Sequence, residues 1–371
     1  MLKVAYICSS LIRKGPTNVL YNLLSSFESS QVLPIIITIS AEEKDSRKPD
    51  FDALGVKIIC LNLSRGIDSY LRSYKLAEVL ESIKPDICHS SGFRTDILCF
   101  KELRKKYKII SSLYNFPIDD YGMQYGKIAG TIMAKIHFSI LSNFTKVITC
   151  SKFILDKLSK YDNISAVLIY TGVDRHFFKP PTVERYNDLR KQYGINMNTI
   201  VYIFIANLIP RKNPQILVEA FADIIKKTNK NIHLFMMGDG PLMDECKSIY
   251  NGNNITYLGN QPDTRLYLEA SDFYVSPSLS EGFPTAVLEA LSVGIPCILS
   301  DILPHKEMLH GIKDAMLFKV ENIDSLKEQF LTSFEIELDI EKKRAREYFV
   351  GNFSSEIMAK NHLKTYKEIL S

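Results

Sequence analysis

The feature that most constrains this sequence is an alternation of short apolar runs with longer segments of helical character, which occurs twice along the chain. Such alternation is typical of a parallel sheet covered by helices. The predicted strands are residues 2–8, 33–39, 56–60, 86–89, 107–113, 146–150 and 166–170, followed by 200–206, 232–237, 254–258, 273–276 and 295–299. The pattern predicts an α/β protein with two Rossmann-like halves, whose ligands bind beyond the carboxyl ends of the strands.

The boundary between the two halves is predicted near Thr171-Gly172-Val173-Asp174, because the segment that follows contains Pro180 and Pro181 and breaks regular structure. A length of 371 residues suits two domains, at about 150 residues per domain. The predicted domains are residues 1–174 and 175–353. The last segment, 354–371, has a helical pattern.

Composition is that of an ordinary globular protein, with 46% hydrophobic and 24% charged residues. A net charge of +4 is too small to indicate nucleic-acid binding. The seven cysteines lack any Cys-x-x-Cys spacing, which favours reduced core residues and a cytoplasmic location. The sequence predicts no secretion signal and no membrane-spanning segment.

Residues 273–300 are the most informative stretch and have the pattern of strand, loop, helix and strand. Pro284 suits the first position of a helix, and Gly294 and Pro296 end it, which predicts a helix over about 284–293. Glu289 is the one charged residue between Thr285 and Val293. A carboxylate on such an apolar helix needs a cation or a ligand hydroxyl as its partner.

The beginning of this helix has the properties of a phosphate site. Free backbone N–H groups around Phe283 and Thr285, together with the helix dipole, favour an anion. Gly282 lacks a Cβ and permits close approach. Glu281 and Glu289 could then bind the hydroxyls of a nucleotide diphosphate-sugar. In the alternative interpretation, Glu281 is a solvated loop charge and Glu289 pairs with a lysine.

The stretch from Ser278 to Pro296 resembles the signature of the retaining glycosyltransferases of family 4. This resemblance implies the GT-B fold, with two Rossmann-like domains whose parallel sheets face across an interdomain cleft. It also implies that Glu281 contacts the donor sugar, that Glu289 binds the ribose, and that the backbone at Gly282, Phe283, Pro284 and Thr285 holds the diphosphate. Residues 354–371 would return to pack on the N-terminal domain.

Other donor-site residues follow from the same resemblance. Lys212 matches a lysine that grips the pyrophosphate, although Ala206 and Asn207 replace the Gly-Arg of the family, and Arg211 is expected to restore the missing charge. Further donor-binding candidates are the glycines of three loops, Gly15, Gly238 and Gly259, and a glutamate after a predicted strand, Glu307. For Gly238, the tight turn itself is the expected role, and nucleotide contact is secondary to it.

Tyr114 stands where many relatives carry a histidine near the sugar, and Asn115 follows it. This departure puts a histidine-dependent step in doubt. The resemblance nevertheless allows a retaining front-face reaction, in which the leaving phosphate takes the proton of the acceptor. Tyr114 and Asn115 would then position the sugar and the incoming hydroxyl.

The predicted function is retaining transfer of a sugar from a nucleotide diphosphate donor, favoured to be a UDP-sugar, to a saccharide acceptor in surface-polysaccharide or lipopolysaccharide synthesis. The acceptor is expected to be lipid-linked, and neither a cofactor nor a metal is expected. Residues 101–108 and 121–142 fit contact with the inner face of the membrane, or a solvated helix end. Two other functions stay open: a non-catalytic nucleotide-sugar-binding subunit and a GT-B nucleotide-sugar epimerase.

Overall fold

The computed structural model describes residues 1–64, 66–104, 106–161 and 163–371 and contains two parallel sheets. The strands are β1 Leu2–Cys8, β2 Val32–Thr38, β3 Lys57–Cys60, β4 Ile87–Ser91, β5 Lys108–Leu113, β6 Lys146–Thr149, β7 Ala166–Leu168, β8 Ile200–Ile205, β9 Ile232–Met237, β10 Ile255–Gly259, β11 Phe273–Ser276, β12 Cys297–Ser300 and β13 Leu317–Phe318. All twelve predicted strands are present, and the two-residue β13 is an addition that sequence did not predict.

The helices cover the faces of these sheets. They are α1 Gly15–Ser25, α2 Lys48–Ala53, α3 Ile67–Leu71, α4 Tyr74–Ile83, α5 Phe93–Leu103, α6 Pro117–Tyr125, α7 Lys127–Leu141, α8 Lys152–Leu158, α9 Val183–Gln192, α10 Pro214–Lys227, α11 Met243–Ile249, α12 Arg265–Glu269, α13 Thr285–Val293, α14 Leu303–Leu309, α15 Ile323–Ser333, α16 Leu338–Asn352 and α17 Ser355–Leu370. In the described part of the chain, no helix is long and apolar enough to cross a bilayer.

The chain divides into two compact units. The first comprises Met1–Gly172 and Ser355–Ser371, and the second comprises Val173–Ser354. We refer to them as the N-terminal and C-terminal domains. The terminal helix α17 belongs to the N-terminal domain, where Met358 and Tyr366 lie in the same apolar core as Tyr6 of β1.

Strand order explains where each domain can bind a ligand. The N-terminal sheet has the order β3-β2-β1-β4-β5-β6-β7, and the C-terminal sheet has the order β10-β9-β8-β11-β12-β13. The chain reverses direction across the sheet between β1 and β4, and again between β8 and β11. Loops diverge at such a switch point and leave a crevice outside the carboxyl ends of the strands. The sequence prediction of two doubly wound α/β domains is confirmed.

The core of the C-terminal domain is built from aromatic and branched side chains of β8, α10 and α15. The rings of Tyr202, Phe221 and Phe330 pack edge to face, with centroids 5.0–5.6 Å apart. Each of these side chains is almost fully buried. Burial of a side chain of this size stabilises the fold by roughly 1.5–3 kcal/mol, so this cluster fixes β8 and the loop that follows it.

A buried ionic network fastens β8 to the start of β11. The carboxylate of Asp272 accepts hydrogen bonds from Arg190 Nη2 at 2.9 Å and from the backbone N–H of Val201 at 2.9 Å on one oxygen. Its other oxygen accepts from the Tyr186 hydroxyl at 2.8 Å and from Lys342 Nζ at 3.0 Å. Arg190 and Asp272 are both buried. Every partner is charged or is a strong donor, so the buried carboxylate is well compensated.

Substitution of Asp272 by alanine should lower the free energy of unfolding by about 3–5 kcal/mol, because it leaves the buried Arg190 guanidinium without its counter-charge. Since the chain has no tryptophan, circular dichroism in urea is the suitable measurement. Glu347→Ala is the control, because Glu347 forms an exposed pair with Lys343 at 3.9 Å and such pairs contribute at most about 1 kcal/mol. Equal losses in the two variants would contradict the importance of the network.

Candidate functional site

In the C-terminal domain, the carboxyl ends of β8 and β11 bring two loops together. The backbone N–H of Leu279 donates to the carbonyl of Arg211 at 2.8 Å, and Arg211 Nη1 donates to the carbonyl of Ser280 at 2.7 Å. The first loop ends in a short 3-10 turn, Pro210–Lys212. These two bonds place the basic residues of one loop against the acidic residue of the other.

Glu281 is the centre of this arrangement. One carboxylate oxygen accepts from Lys212 Nζ, and the other accepts from Arg211 Nη1 at 2.9 Å. Only 8% of Glu281 is exposed, so the alternative interpretation of a solvated loop charge is wrong. Two cations surround one carboxylate, and the group of three, the Glu281 cluster, therefore carries a net charge of +1. A positively charged, largely buried cluster suits a phosphate-bearing ligand.

The pKa of Glu281 reflects these contacts. Burial by itself would raise the pKa of this carboxyl, but the charges of Lys212 and Arg211 outweigh burial and lower the pKa to about 2. The carboxylate is thus ionised throughout the neutral and mildly acidic range.

Helix α13 begins close to the cluster in sequence. Pro284 lies at the position before its first residue, with φ −68° and ψ 121°, and not at the first helical position as predicted. The difference arises because Pro284 has an extended backbone, so the helical conformation begins only at Thr285. Gly282 and Phe283 are buried, whereas Thr285 is partly exposed. Pro284 has no side-chain acceptor, so it provides no cap for the first N–H groups of α13.

Glu289 lies one turn further along α13 and is partly exposed. The hydroxyl of Thr264, which precedes α12, donates to Glu289 Oε2 at 3.4 Å. Glu307 lies on α14 and is also partly exposed.

The glycines of this site differ in what constrains them. Gly238 has φ +125°, and a Cβ there would lie 2.0 Å from the carbonyl oxygen of Ala206. Its role is therefore close packing of the turn against the loop that leads to Arg211. Gly259 has φ +63° with open space around the position of a Cβ, and its carbonyl accepts from the N–H of Gly238 at 2.8 Å.

Sequence analysis missed His305, which is fully buried on α14. Its Nδ1 lies 3.0 Å from the carbonyl oxygen of Ser300, and its Nε2 has no hydrogen-bond partner among the described residues. Burial lowers its pKa to about 4, against the opposing effect of the nearby Glu281 charge.

The N-terminal domain contains a second site at its switch point, a cavity of about 400 Å³. Tyr114 and Asn115 line it at the end of β5, and Lys14 and Pro16 line it near the start of α1. Gly15, expected in a loop, is the first residue of α1 and has open space around it. Burial raises the pKa of the Tyr114 phenol.

His89, at the end of β4, has both ring nitrogens engaged. Nδ1 lies 2.7 Å from the Tyr366 hydroxyl and Nε2 lies 2.8 Å from Ser112 Oγ. Tyr366 in turn lies 3.1 Å from the hydroxyl of Tyr6. These contacts tie α17 to the sheet and favour a structural role for His89.

Two family models match the chain. The model of "Glycosyltransferase Family 4" matches residues 13–177, and the model of "Glycosyl transferases group 1" matches residues 186–348. The chain belongs to the glycosyltransferases of family 4. It is therefore an enzyme of the glycosyltransferase type, and each of the two domains described above corresponds to one of the models.

This family 4 enzyme is similar to several curated proteins. It is 28% identical, over 81% of its own chain and 80% of the relative, to "UDP-Gal:alpha-D-GlcNAc-diphosphoundecaprenol alpha-1,3-galactosyltransferase" of Escherichia coli. It is 24% identical, over 99% of both chains, to "O-antigen biosynthesis glycosyltransferase WclY" of Escherichia coli. Among solved structures, Anabaena Alr3699/HepE in complex with UDP and glucose matches with a TM-score of 0.82 and 16% identity, over 99% of this chain and 100% of the other. The fold is GT-B.

The pKa of Glu281 makes a prediction about stability. Because the pKa is lowered from 4.5 to about 2 in the folded protein, ionised Glu281 contributes stability that is fully present above pH 4.5 and is lost as the pH falls towards 2. The difference in free energy of unfolding between wild type and Glu281→Gln should therefore be largest at neutral pH and shrink across this range. Urea denaturation at several pH values measures it. Glu347→Gln is the control, and an equally steep pH dependence there would contradict the assignment.

Proposed function

We propose that this family 4 glycosyltransferase transfers a sugar from a UDP-sugar, with retention, to a saccharide linked through a diphosphate to a polyprenyl lipid, in the synthesis of a cell-surface polysaccharide. The galactosyltransferase relative is named for a UDP-galactose donor and a diphosphoundecaprenol acceptor. The observation that carries the proposal is the Glu281 cluster, in which two cations and one carboxylate lie beside the beginning of α13.

The chemistry of the cluster explains the proposal. When the bond between the sugar and the diphosphate breaks, negative charge accumulates on the leaving UDP. Lys212 and Arg211 are held in place by Glu281 before the ligand arrives, so little reorganisation is needed when that charge develops. The N–H groups of Thr285 and the following residue, at the positive end of the α13 dipole, add to this stabilisation.

The remaining donor-site residues have distinct proposed roles. Glu281 also accepts hydrogen bonds from the sugar hydroxyls, and Glu289 binds the ribose. The backbone at Gly282, Phe283 and Pro284 lets the diphosphate approach. We assign Gly238 and Gly259 to the shape of the nucleotide pocket, Gly15 to the donor approach from the N-terminal domain, and Glu307 to the edge of the donor site. Tyr114 and Asn115 position the reacting groups.

Replacement of Lys212 by alanine should weaken UDP binding about tenfold or more, because a charge-assisted hydrogen bond contributes about 1.5–3 kcal/mol. Glu289→Ala should weaken UDP binding as well. Isothermal titration calorimetry with UDP measures both. Lys226→Ala is the matched control, since Lys226 is an exposed lysine in the last turn of α10, and it should bind UDP as wild type does.

Turnover is tested by release of UDP from UDP-galactose, UDP-glucose and their N-acetylamino forms, with N-acetylglucosamine-diphosphoundecaprenol as the acceptor probe. Release of UDP that depends on the acceptor supports the proposal. A protein that binds UDP and releases none from any of these donors would be a non-catalytic binding subunit. A protein that binds no UDP would contradict the donor assignment.

We further propose that α7 rests on an anionic membrane surface. Ile128, Ile132 and Ile136 are spaced four residues apart on one face of α7, and their side chains are 81%, 55% and 48% exposed. Lys127 and Lys135 lie on the same helix, which has no acidic residue. An apolar stripe with flanking lysines suits the interface of an anionic bilayer.

The basic stretch 101–108 is a weaker candidate for membrane contact. Lys101 Nζ lies 3.4 Å from a carboxylate oxygen of Glu102, and Lys106 Nζ lies 2.6 Å from one of Glu81. These carboxylates offset much of its charge, and Lys105 lies outside the described residues.

Replacement of the three isoleucines of the stripe by serine should abolish most binding to vesicles of phosphatidylglycerol and phosphatidylcholine, because it removes the apolar face that enters the lipid. Vesicle flotation measures the bound fraction. Ile340→Ser is the control, since Ile340 is 45% exposed in the C-terminal domain. Equal flotation of the triple variant and wild type would refute this surface. Equal flotation of wild type with anionic and with purely zwitterionic vesicles would show that the lysines contribute nothing.

A further inference from the structure

A chain of buried polar groups leads into the N-terminal cavity and takes no part in the roles assigned above. Asp96 on α5 is fully buried, and so is His137 on α7. His137 Nε2 lies 2.7 Å from Asp96 Oδ2, and His137 Nδ1 lies 2.8 Å from the hydroxyl of Tyr121 on α6. Tyr121 and His137 both line the cavity. Three elements that are separate in sequence thus meet in one hydrogen-bonded line.

The contacts of Asp96 determine where the protons lie. Ser90 Oγ donates to one of its oxygens, and Ser111 Oγ donates to the other at 2.8 Å. With hydroxyl donors on both oxygens, the carboxylate acts as an acceptor, and the proton of the imidazole lies on Nε2. When the ring carries its single proton on Nε2, Nδ1 is an acceptor and the Tyr121 hydroxyl donates to it.

The direction of the hydrogen bond between Tyr121 and His137 determines which kind of hydrogen bond the Tyr121 oxygen can form with a ligand in the cavity. A phenol has a single proton, and here that proton is used by His137. The remaining lone pairs of the Tyr121 oxygen can therefore only accept a hydrogen bond. The groups that can supply one are N–H or O–H donors, and a sugar hydroxyl is such a group. Burial raises the pKa of Tyr121, so the phenol keeps its proton at neutral pH.

Packing against neighbouring groups holds the hydrogen-bonded side chains of Asp96, His137 and Tyr121 in place. The ring of Phe93 lies against Tyr121 and His137, with centroids 5.5 and 5.2 Å away. A Cβ at Gly130 would lie 2.5 Å from the backbone of Tyr121 and of Gly122, so only glycine lets α7 approach α6 this closely. The hydroxyl of Tyr121 is consequently held at a defined place at the edge of the cavity.

His89, another polar side chain of the cavity wall, has both ring nitrogens engaged, by Tyr366 and by Ser112. The Tyr121 oxygen differs from this imidazole, because its one hydrogen bond among the described residues leaves lone pairs with which it can accept another.

We propose that the Tyr121 hydroxyl receives a hydroxyl of the acceptor saccharide, and that His137 and Asp96 are positioning residues that direct the Tyr121 proton away from the cavity. This inference rests on the proposed function, because it assumes a saccharide acceptor in the N-terminal domain. To the proposed function it adds the residues that bind and orient the acceptor saccharide.

Kinetics with N-acetylglucosamine-diphosphoundecaprenol as the acceptor probe test the role of Tyr121. Tyr121→Phe removes one oxygen and should raise the KM for the probe roughly threefold to tenfold, as expected for one lost hydrogen bond. UDP affinity should stay within twofold of wild type. Tyr125→Phe is the matched control, because Tyr125 lies on the same helix and is 56% exposed. An unchanged KM in Tyr121→Phe would overturn the proposal.

Two variants of His137 separate positioning from structural support. His137→Asn keeps an acceptor atom near the place of Nδ1, whereas His137→Leu has none, and both lose the donor to Asp96. In His137→Asn, the KM for the probe should be close to that of wild type. In His137→Leu, the KM should be as high as in Tyr121→Phe. A purely structural role predicts that both variants change the KM equally, and that result would overturn the positioning role.

A measurement without turnover keeps this inference distinct from the proposed function. In protein labelled with ¹⁵N-histidine, His137 should carry its proton on Nε2, and its Nδ1 signal should shift when a short-chain form of the probe is added. The shift should be absent in Tyr121→Phe. A proton on Nδ1, or a wild-type signal that the probe leaves unmoved, would overturn the inference. Loss of UDP binding in wild type, by contrast, would count against the proposed function alone.

Discussion

Parallel pairing of the strands is the constraint on which the rest of this structure depends. Every strand of a parallel sheet ends at the same edge, so all the loops after the strands emerge together. In each domain the strand order reverses once, between β1 and β4 and between β8 and β11. The crevice left by that reversal is where the Glu281 cluster lies in one domain and where the cavity with Tyr121 lies in the other.

The buried carboxylates of the two sites, Glu281 and Asp96, are compensated in different ways. In the C-terminal domain, Glu281 is compensated by two cations, and the cluster retains a positive charge for an anionic ligand. In the N-terminal domain, Asp96 is compensated by two hydroxyls and a histidine, and the line ends at the Tyr121 oxygen, which we propose as a hydrogen-bond acceptor. A diphosphate and a sugar hydroxyl are the ligand groups that we propose for these two sites.

Helix α7 carries both His137 and the isoleucine stripe for which we propose membrane contact. His137 lies on its buried face, while Ile132 and Ile136 lie on its exposed face. The same helix could thus contact a bilayer and hold the residue that orients Tyr121. For an acceptor attached to a polyprenyl lipid, this arrangement would bring the saccharide to the cavity while its tail stays in the membrane.

Local sequence was sufficient to predict the secondary-structure elements and one of the two sites, the one around Glu281. Apolar alternation predicted the strands, since β-favouring runs bounded by turn residues are a local property, and it failed only for β13, which is too short to form a pattern. The motif around Glu281 was visible because its residues lie within one strand-loop-helix unit. The bond from Arg211 and Lys212 to Glu281 was not visible, because it joins residues about seventy positions apart.

The sequence by itself determined that the chain forms two α/β domains and that residues 278–289 have the pattern of a nucleotide-sugar site. Tertiary structure alone decided that Glu281 is buried and ionised, that Pro284 precedes α13, and that Asp96, His137 and Tyr121 form one line. The physical reason is that burial and charge compensation depend on which elements pack together. Histidine and tyrosine within helices of mixed composition give no sign of that packing until the sheet brings them together.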